Sequence, residues 1–313
     1  MIFSSKVPCN CKKVNLLDYL CNRFTYFSSE QWRQRIAEEK VLLNGSISSV
    51  SDEVNGGDSI QYDAGDFDEP PADLAFAVVY EDDYLLGINK PGNLLVHRAG
   101  RSFRNNLIYQ LRYAHSPLYP NCHSVHRLDR ETSGVVLVVK SPDWIAPFGT
   151  LFNEGRIEKH YKTIVKGKFS EQLPMHIDNP ISQDKASGIS YRQWVNESGK
   201  QALTRIDHAL PLGDHYTLLS VTPLSGRTHQ IRVHLASMGY PIAGDRLYNL
   251  DPVQYLSMQK EFWSHSLSED ISRHALHCES LSFVHPFTQR PLTISADLPD
   301  DMVRCITKLV NSK

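Results

Sequence analysis

Residues 123–140, HSVHRLDRETSGVVLVVK, place Asp129 between Arg127 and Arg130, with His126 and Glu131 close by, just ahead of a wholly apolar run. Flanking positive charge favours the ionised carboxylate. A position at the mouth of a core strand keeps that carboxylate partly out of water. Such a group can serve as nucleophile or base. The same residues would equally make a strand-end ion pair, worth little if exposed, and local chemistry does not choose between the two. A second cluster, SGRTHQIRVH, carries Arg227 and Arg232. Their spacing puts them on different helical faces, so one can point outward and the other inward. An inward guanidinium needs a carboxylate or phosphate; the plainer alternative is a pair of surface arginines on an amphipathic helix. Tyr161 in KHYKTIV is a strand tyrosine, core by default, yet able to stack on a base. His123, His126 and Asp129 recur at intervals of three, which converges on a metal only in a helix. The Thr-Ser-Gly and apolar strand that follow argue for a loop, so no metal is expected.

The elements that must position these residues can be read from periodicity. GVVLVVK is a β-branched run that reads as a central strand. KHYKTIVKGKF alternates as a strand with Tyr161, Thr163 and Val165 on one side. GRTHQIRVHLASMGYP reads as a helix with an apolar stripe of Thr228, Ile231, Leu235 and Met238, stopped by Gly239 and Pro241. LAFAVVYEDDYLLGINKPG reads as two strands closed by a turn, WIAPFGTLFNEGRI as a weak helix, and HYTLLSVTPL, HALHCESLSFVHP and RPLTISADLP as strands. Strands outnumber helices and do not alternate with them regularly. The expected fold is α+β, a mixed and largely antiparallel sheet with flanking helices.

Ahead of this lies a smaller region. NLLDYLCNRF has helical spacing, Ser28 and Ser29 can cap a second helix through EQWRQRIAEEK, and Asn44-Gly45 is a hairpin signal. Residues 65–73, GDFDEPPAD, read as a stiff, poorly packing linker. The expected division is therefore a small α/β module over 1–64, the linker over 65–73, and a large domain over 74–313.

The bulk numbers bound the rest. At 41% hydrophobic and 22% charged over 313 residues, neither disorder nor a membrane protein is favoured. Six sparse cysteines read as reduced thiols, and the start lacks the apolar core of a secretory signal, which implies a cytoplasmic protein. The formal charge of −2 hides an uneven distribution: residues 1–64 carry −1, the linker −4, and residues 74–313 carry +3. The larger part is mildly basic, which permits a phosphate-binding face.

Taken together, the motifs resemble those of the RluA-type pseudouridine synthases. HRLDRETSGVVLVVK resembles the family signature, KHYKTIVKG its tyrosine strand, and LSGRTHQIRVHLASMGYPIAGDRLY its arginine-bearing motif. INKPG, SGKQALT and LHCESLSFVHP match further segments, in family order, over about residues 76 to 300. The region before the linker resembles an S4-like RNA-binding module, although Arg33 and Arg35 are offset by Glu30, Glu38 and Glu39.

The resemblance implies a cofactor-independent RNA-uridine isomerase, with Asp129 as the essential aspartate. Tyr161 would stack on the target base, Arg232 would pair with Asp129, and Arg127 would fill the space left by a flipped nucleotide. Lys90, His126, Arg130 and Thr132 are further candidate substrate contacts, as are Arg227, His229 and Gln230. The expected partner is ribosomal or transfer RNA, with no membrane, for a chain expected to be monomeric. Residues 249–270 are a candidate insertion for choosing the target. The alternative is a protein that keeps the fold for RNA contact or ribosome assembly without catalysis.

Overall fold

A computed structural model describes residues 2–63, 65, 69–258 and 271–311. The chain divides into two compact units. One comprises Met1–Pro71 with Arg98–Arg104, the other Ala72–His97 with Asn105–Lys313.

In the smaller unit, strand β1 (Ile2–Lys6) precedes helices α1 (Leu16–Arg23) and α2 (Ser29–Ala37). Strands β2 (Val41–Leu43), β3 (Ser46–Ile47) and β4 (Ser59–Asp63) follow. The antiparallel sheet has the order β1-β4-β2-β3. Ser28 begins α2 through a reciprocal capping box with Gln31. Asn44 and Gly45 both take positive φ in the β2–β3 turn. Trp32, fully buried, sits against Phe24, Phe27 and Tyr62. The strand at 2–6 has only two apolar residues and gives no sequence signal; pairing with β4 creates it.

Of the expected linker, residues 66–68 lie outside the described residues. Its flanks are anchored, because the Glu69 carboxylate accepts from the amides of Phe103 and Arg104, and the Asp73 amide donates to Asn93. Composition implies a stiff, poorly packing linker, and these hydrogen bonds at Glu69 and Asp73 carry no local sequence signal.

The larger unit is built on one long sheet. Its elements are β5 (Ala77–Glu81), β6 (Leu85–Lys90), α3 (Leu107–Tyr113), β7 (Ser133–Val139), α4 (Ile145–Asn153) and β8 (Glu158–Lys166). Then come β9 (Met175–Asp178), β10 (Leu203–Leu212), β11 (Tyr216–Pro223), α5 (Gln230–Ser237), β12 (Leu276–Val284), β13 (Pro291–Ser295) and α6 (Asp300–Asn311). The order is β9-β10-β11-β8-β12-β7-β6-β5, with β13 beside β12. The expected α+β class holds. Every residue of β7 is buried, as its unbroken apolar run requires for an interior strand. No helix among the described residues is long and apolar enough to cross a membrane.

One pairing decides the site. β7 and β12 run parallel, through Ser133↔His277 and Gly134↔Cys278, whereas the other pairs of this sheet are antiparallel. Cys278 also pairs with Tyr161 of β8, beside a register shift at His160/Tyr161. A single β12 residue therefore stands between the start of β7 and Tyr161. Gly134 makes this approach possible: it has φ +108°, and a Cβ there would lie 2.1 Å from the Cys278 carbonyl oxygen.

The helix expected from GRTHQIRVHLASMGYP starts only at Gln230, because His229 adopts a left-handed backbone, φ 57°. Thr228 is exposed, outside the apolar stripe predicted for it. Gly239, φ +85°, ends the helix as expected.

Candidate active site

Asp129 lies in the loop between the short strand His123–Ser124 and β7. Leu128 is buried in the core, and the next side chain, Asp129, is left 23% exposed. The residues that follow are tied down one by one. The Arg130 carbonyl accepts from the Leu94 amide and from Lys90 Nζ, while Arg130 Nε donates to Asn93 Oδ1. Glu131 Oε2 accepts from the His274 amide at 3.2 Å, and Arg273 donates to the Glu131 carbonyl at 2.8 Å. Thr132 Oγ1 pairs with His274 Nε2 at 2.7 Å, and Ser133 Oγ with His277 Nδ1 at 3.0 Å. The charged residues around Asp129 are chiefly anchors that aim it.

Its ion-pair partner comes from α5. Arg232 donates through Nη1 to Asp129 Oδ2 at 2.9 Å, and through Nε and Nη2 to the two oxygens of Asp245 at 2.7 and 2.9 Å. Asp245 is almost wholly buried, and Tyr248 lies under the guanidinium at 5.0 Å. Burial works against charge on Asp129, but His229, Arg232 and His274, with the Arg232 hydrogen bond, overcome it and hold the carboxyl well below its usual range. His229 is itself pushed down to about 4 by burial and Arg232, so near neutral pH the charge beside Asp129 is that of Arg232. The local pattern alone assigns this ionisation to Arg127, Arg130 and His126, whereas the family resemblance implies Arg232 as the partner. The structure supplies it from a residue 103 positions away, because the flanking arginines face elsewhere.

Tyr161 is half-buried, packs against both hydrophobic clusters of this unit, and is held protonated by burial, then by Cys278 and Asp129. Arg127 is exposed, near His97, with no hydrogen-bond or ion-pair partner among the described residues. Arg227 is also exposed and donates to the Gln201 carbonyl.

Other candidates are turned inward. Lys90 is fully buried, with Nζ on the carbonyls of Pro91, Leu94 and Arg130, and burial followed by Arg273 lowers its pKa to about 7. Gln230 is buried and bridges Leu203, Thr204, Ser225 and Arg227. Thr132 is buried against His274. These side chains build the walls and offer no open face to a substrate. His126 stacks on Phe152 and accepts the Leu137 amide through Nε2 at 2.8 Å. His123 pairs with Arg112 instead, so the His123–His126–Asp129 spacing does not gather a metal site; no group of three such ligands occurs among the described residues.

A family model described as RNA pseudouridylate synthase matches residues 84–237. The ribosomal large subunit pseudouridine synthase D of Buchnera aphidicola subsp. Schizaphis graminum is 32% identical over 297 residues, 91% of each chain. The chain belongs to the RluA-type RNA pseudouridine synthases. Synthase C of Vibrio cholerae serotype O1 is 34% identical over 238 residues, covering 76% of this chain and 70% of that one. In fold, human RNA Pseudouridylate Synthase Domain Containing 1 superposes with a TM-score of 0.57 at 24% identity, over 76% of this chain and 90% of that chain.

For a pseudouridine synthase, an isomerase, the residues missed by sequence reasoning are those of the surround: Asp245, Tyr248, Arg273 and His274. Asp245 and Tyr248 lie within the quoted PIAGDRLY stretch, but nothing local marks either as a partner of Arg232. Of the candidate insertion 249–270, the described part ends in helix Pro252–Met258, and 259–270 lie outside the described residues.

The buried imidazoles set an acid limit on this synthase. His126, lowered to about 3 by burial and Lys159, and His229, lowered to about 4, stay unprotonated in the fold, whereas both protonate near 6.5 in the unfolded chain. Between those values the unfolded state binds more protons, so stability falls as pH drops below 6.5. Each imidazole contributes up to ~1.4 kcal/mol per pH unit. Depressed Asp129 and Glu131 extend the loss below about pH 4. Urea midpoints are expected to fall steadily from about pH 6.5 to 4.5; a level profile over that range would contradict the assignment.

Proposed function

We propose that the chain isomerises uridine in large-subunit ribosomal RNA to pseudouridine, with Asp129, Tyr161 and Arg232 as its working residues. The observation that carries this reading is Arg232 clamped between buried Asp245 and partly exposed Asp129. The clamp leaves one ionised carboxylate partly exposed, at the foot of the strand that pairs through Cys278 with the Tyr161 strand. The RNA class is suggested by the ribosomal large subunit synthases named above.

The reaction breaks the C1′–N1 bond, turns the uracil, forms C1′–C5, and exchanges the C5 proton for one on N1. An ionised Asp129 assists separation of the electron-poor ribose from the uracil anion, and Tyr161 stacks on the turning base. Extruding the nucleotide costs a few kcal/mol, and exposed, uncommitted Arg127 fills the gap. On this reading the smaller unit is an S4-like RNA-binding module, and the enzyme works as a cytoplasmic monomer.

The test is pseudouridine mapping of ribosomal and transfer RNA from cells with and without the gene. A ribosomal site lost on deletion and restored by wild type, but not by the Asp129→Asn variant, is the expected result. No lost site in either RNA, or restoration by the variant, would overturn the reading. A site lost from transfer RNA alone would reassign the substrate.

A further inference from the structure

His229 is placed for more than beginning a helix. Its Nε2 stands 3.7 Å from Asp129 Oδ2, and its Nδ1 is 2.9 Å from the Tyr248 hydroxyl. That hydroxyl oxygen already accepts the Gln193 amide at 3.1 Å. Tyr248 is buried, and an O–H without an acceptor there would cost ~1–3 kcal/mol. The hydroxyl hydrogen is therefore directed at His229 Nδ1, its remaining partner among the described residues. A neutral imidazole with Nδ1 accepting carries its proton on Nε2. The Gln193 amide thus sets Tyr248, and Tyr248 sets the imidazole. Burial and Arg232 keep the ring neutral; the charged or titratable groups facing it are Asp129, Arg232, Asp245, Tyr248 and His274.

Among the described residues, the two basic groups within 4.0 Å of the Asp129 carboxylate approach the same oxygen. Arg232 Nη1 and His229 Nε2 lie on Oδ2, and Oδ1 has no protein partner among the described residues. We propose that His229 is a positioning residue for Asp129. Held as the Nε2-protonated tautomer by Tyr248, it supplies a second donor to Oδ2 and so reserves Oδ1 for the reacting ribose or uracil. The proposal rests on the assignment of Asp129 as the group that acts on substrate. The 3.7 Å gap is longer than a hydrogen bond, and contacts of this kind tighten when substrate seats.

A purely structural role predicts something different. His229 sits in the left-handed region, which asparagine tolerates better than histidine or glutamine. If backbone conformation were its whole purpose, His229→Asn would be the benign variant and His229→Gln the poorer one. The positioning role reverses that order, because a glutamine amide reaches where Nε2 stands and an asparagine amide stops near Nδ1.

The experiment has two arms. Steady-state kinetics on ribosomal RNA is expected to show kcat about 10- to 100-fold lower for His229→Asn at unchanged KM, with most of the loss recovered in His229→Gln. Imidazole nitrogen NMR of the unliganded protein is expected to place the His229 proton on Nε2, and on a mixture of both nitrogens in Tyr248→Phe. Wild-type kcat in His229→Asn, or a proton on Nδ1 in the wild type, would overturn the proposal. If the wild type shows no isomerase activity on any RNA, the functional reading fails, while the NMR arm still decides the tautomer.

Discussion

Asp129→Asn is expected to lower pseudouridine formation at least ~10³-fold, about 4 kcal/mol of lost barrier reduction, while the fold is retained with a loss of ~1–3 kcal/mol as the charge paired with Arg232 goes. The two effects separate because of how Arg232 is held. Asparagine keeps the shape of aspartate and retains an oxygen that can accept from Nη1. Arg232 keeps its two hydrogen bonds to Asp245, so no buried charge is stranded. What disappears is the negative charge of the partly exposed carboxylate. Tritium release from C5-labelled uridine in ribosomal RNA measures the first effect, and urea unfolding the second. Activity within tenfold of wild type would remove Asp129 from the chemistry. A large stability loss would instead make it a structural ion pair.

Arg273→Met is expected to destabilise the fold by ~3–5 kcal/mol and to lower activity through the Asp129 loop. Arg273 is buried and binds Asp301 of α6 through Nε and Nη2. It also donates to the carbonyls of Glu131, His274 and Leu276 and to Ser133 Oγ. Its stem lies so close to Gly92 that a Cβ there would be 2.4 Å from Arg273 Cδ. Methionine keeps most of the stem and removes every donor, so several buried oxygens lose their partner at ~1–3 kcal/mol each. Asp301, about a third exposed, recovers water. Asp301→Asn should cost less, ~1–2 kcal/mol, because asparagine still offers an acceptor and the buried guanidinium keeps its carbonyl and hydroxyl partners. Urea midpoints for both variants check the contrast. Equal losses would mean that the ion pair, not the clasp on residues 131–133, is what matters.

Much of the chemistry was legible because it resides in contiguous stretches. HRLDRETSG followed by an apolar run announces a polar loop feeding an interior strand, and alternation in KHYKTIV announces a strand tyrosine. Spacing left open whether Arg227 and Arg232 are both surface arginines or one of them points inward; Arg232 is buried and Arg227 exposed, but Arg227 lies ahead of α5, so helical spacing is not the cause. Less was legible where partners are distant or backbone-borne. Lys90, Thr132 and Gln230 read as substrate contacts because they sit in functional motifs. Their partners are carbonyls, a histidine and a hydroxyl elsewhere in the fold, and no local pattern records those. The late helix α5 start has a similar cause: His229 carries the left-handed turn that a propensity count cannot anticipate. Strands β9 and β10 and helix α3 have short or interrupted patterns that give little local signal, whereas α6 carries a legible stripe of Met302, Cys305 and Leu309 at helical spacing that went unread.

By itself the amino-acid sequence determined the class of fold and the family, and through the family motifs it singled out Asp129, Tyr161 and Arg232 as candidates. A covalent run specifies its own periodicity and its own motif. Only the tertiary structure shows how Arg232 is braced and which strand pairing brings the start of β7 next to Tyr161. The charge beside Asp129 is that of Arg232, braced by Asp245, and not of the neighbouring arginines. The approach of the strands depends on a short parallel pairing that sets Gly134, Cys278 and Tyr161 side by side. Electrostatic energy falls with distance in space, not along the chain, so the charges flanking Asp129 do not reveal its partner; the family motifs point to Arg232, and the fold brings the two together.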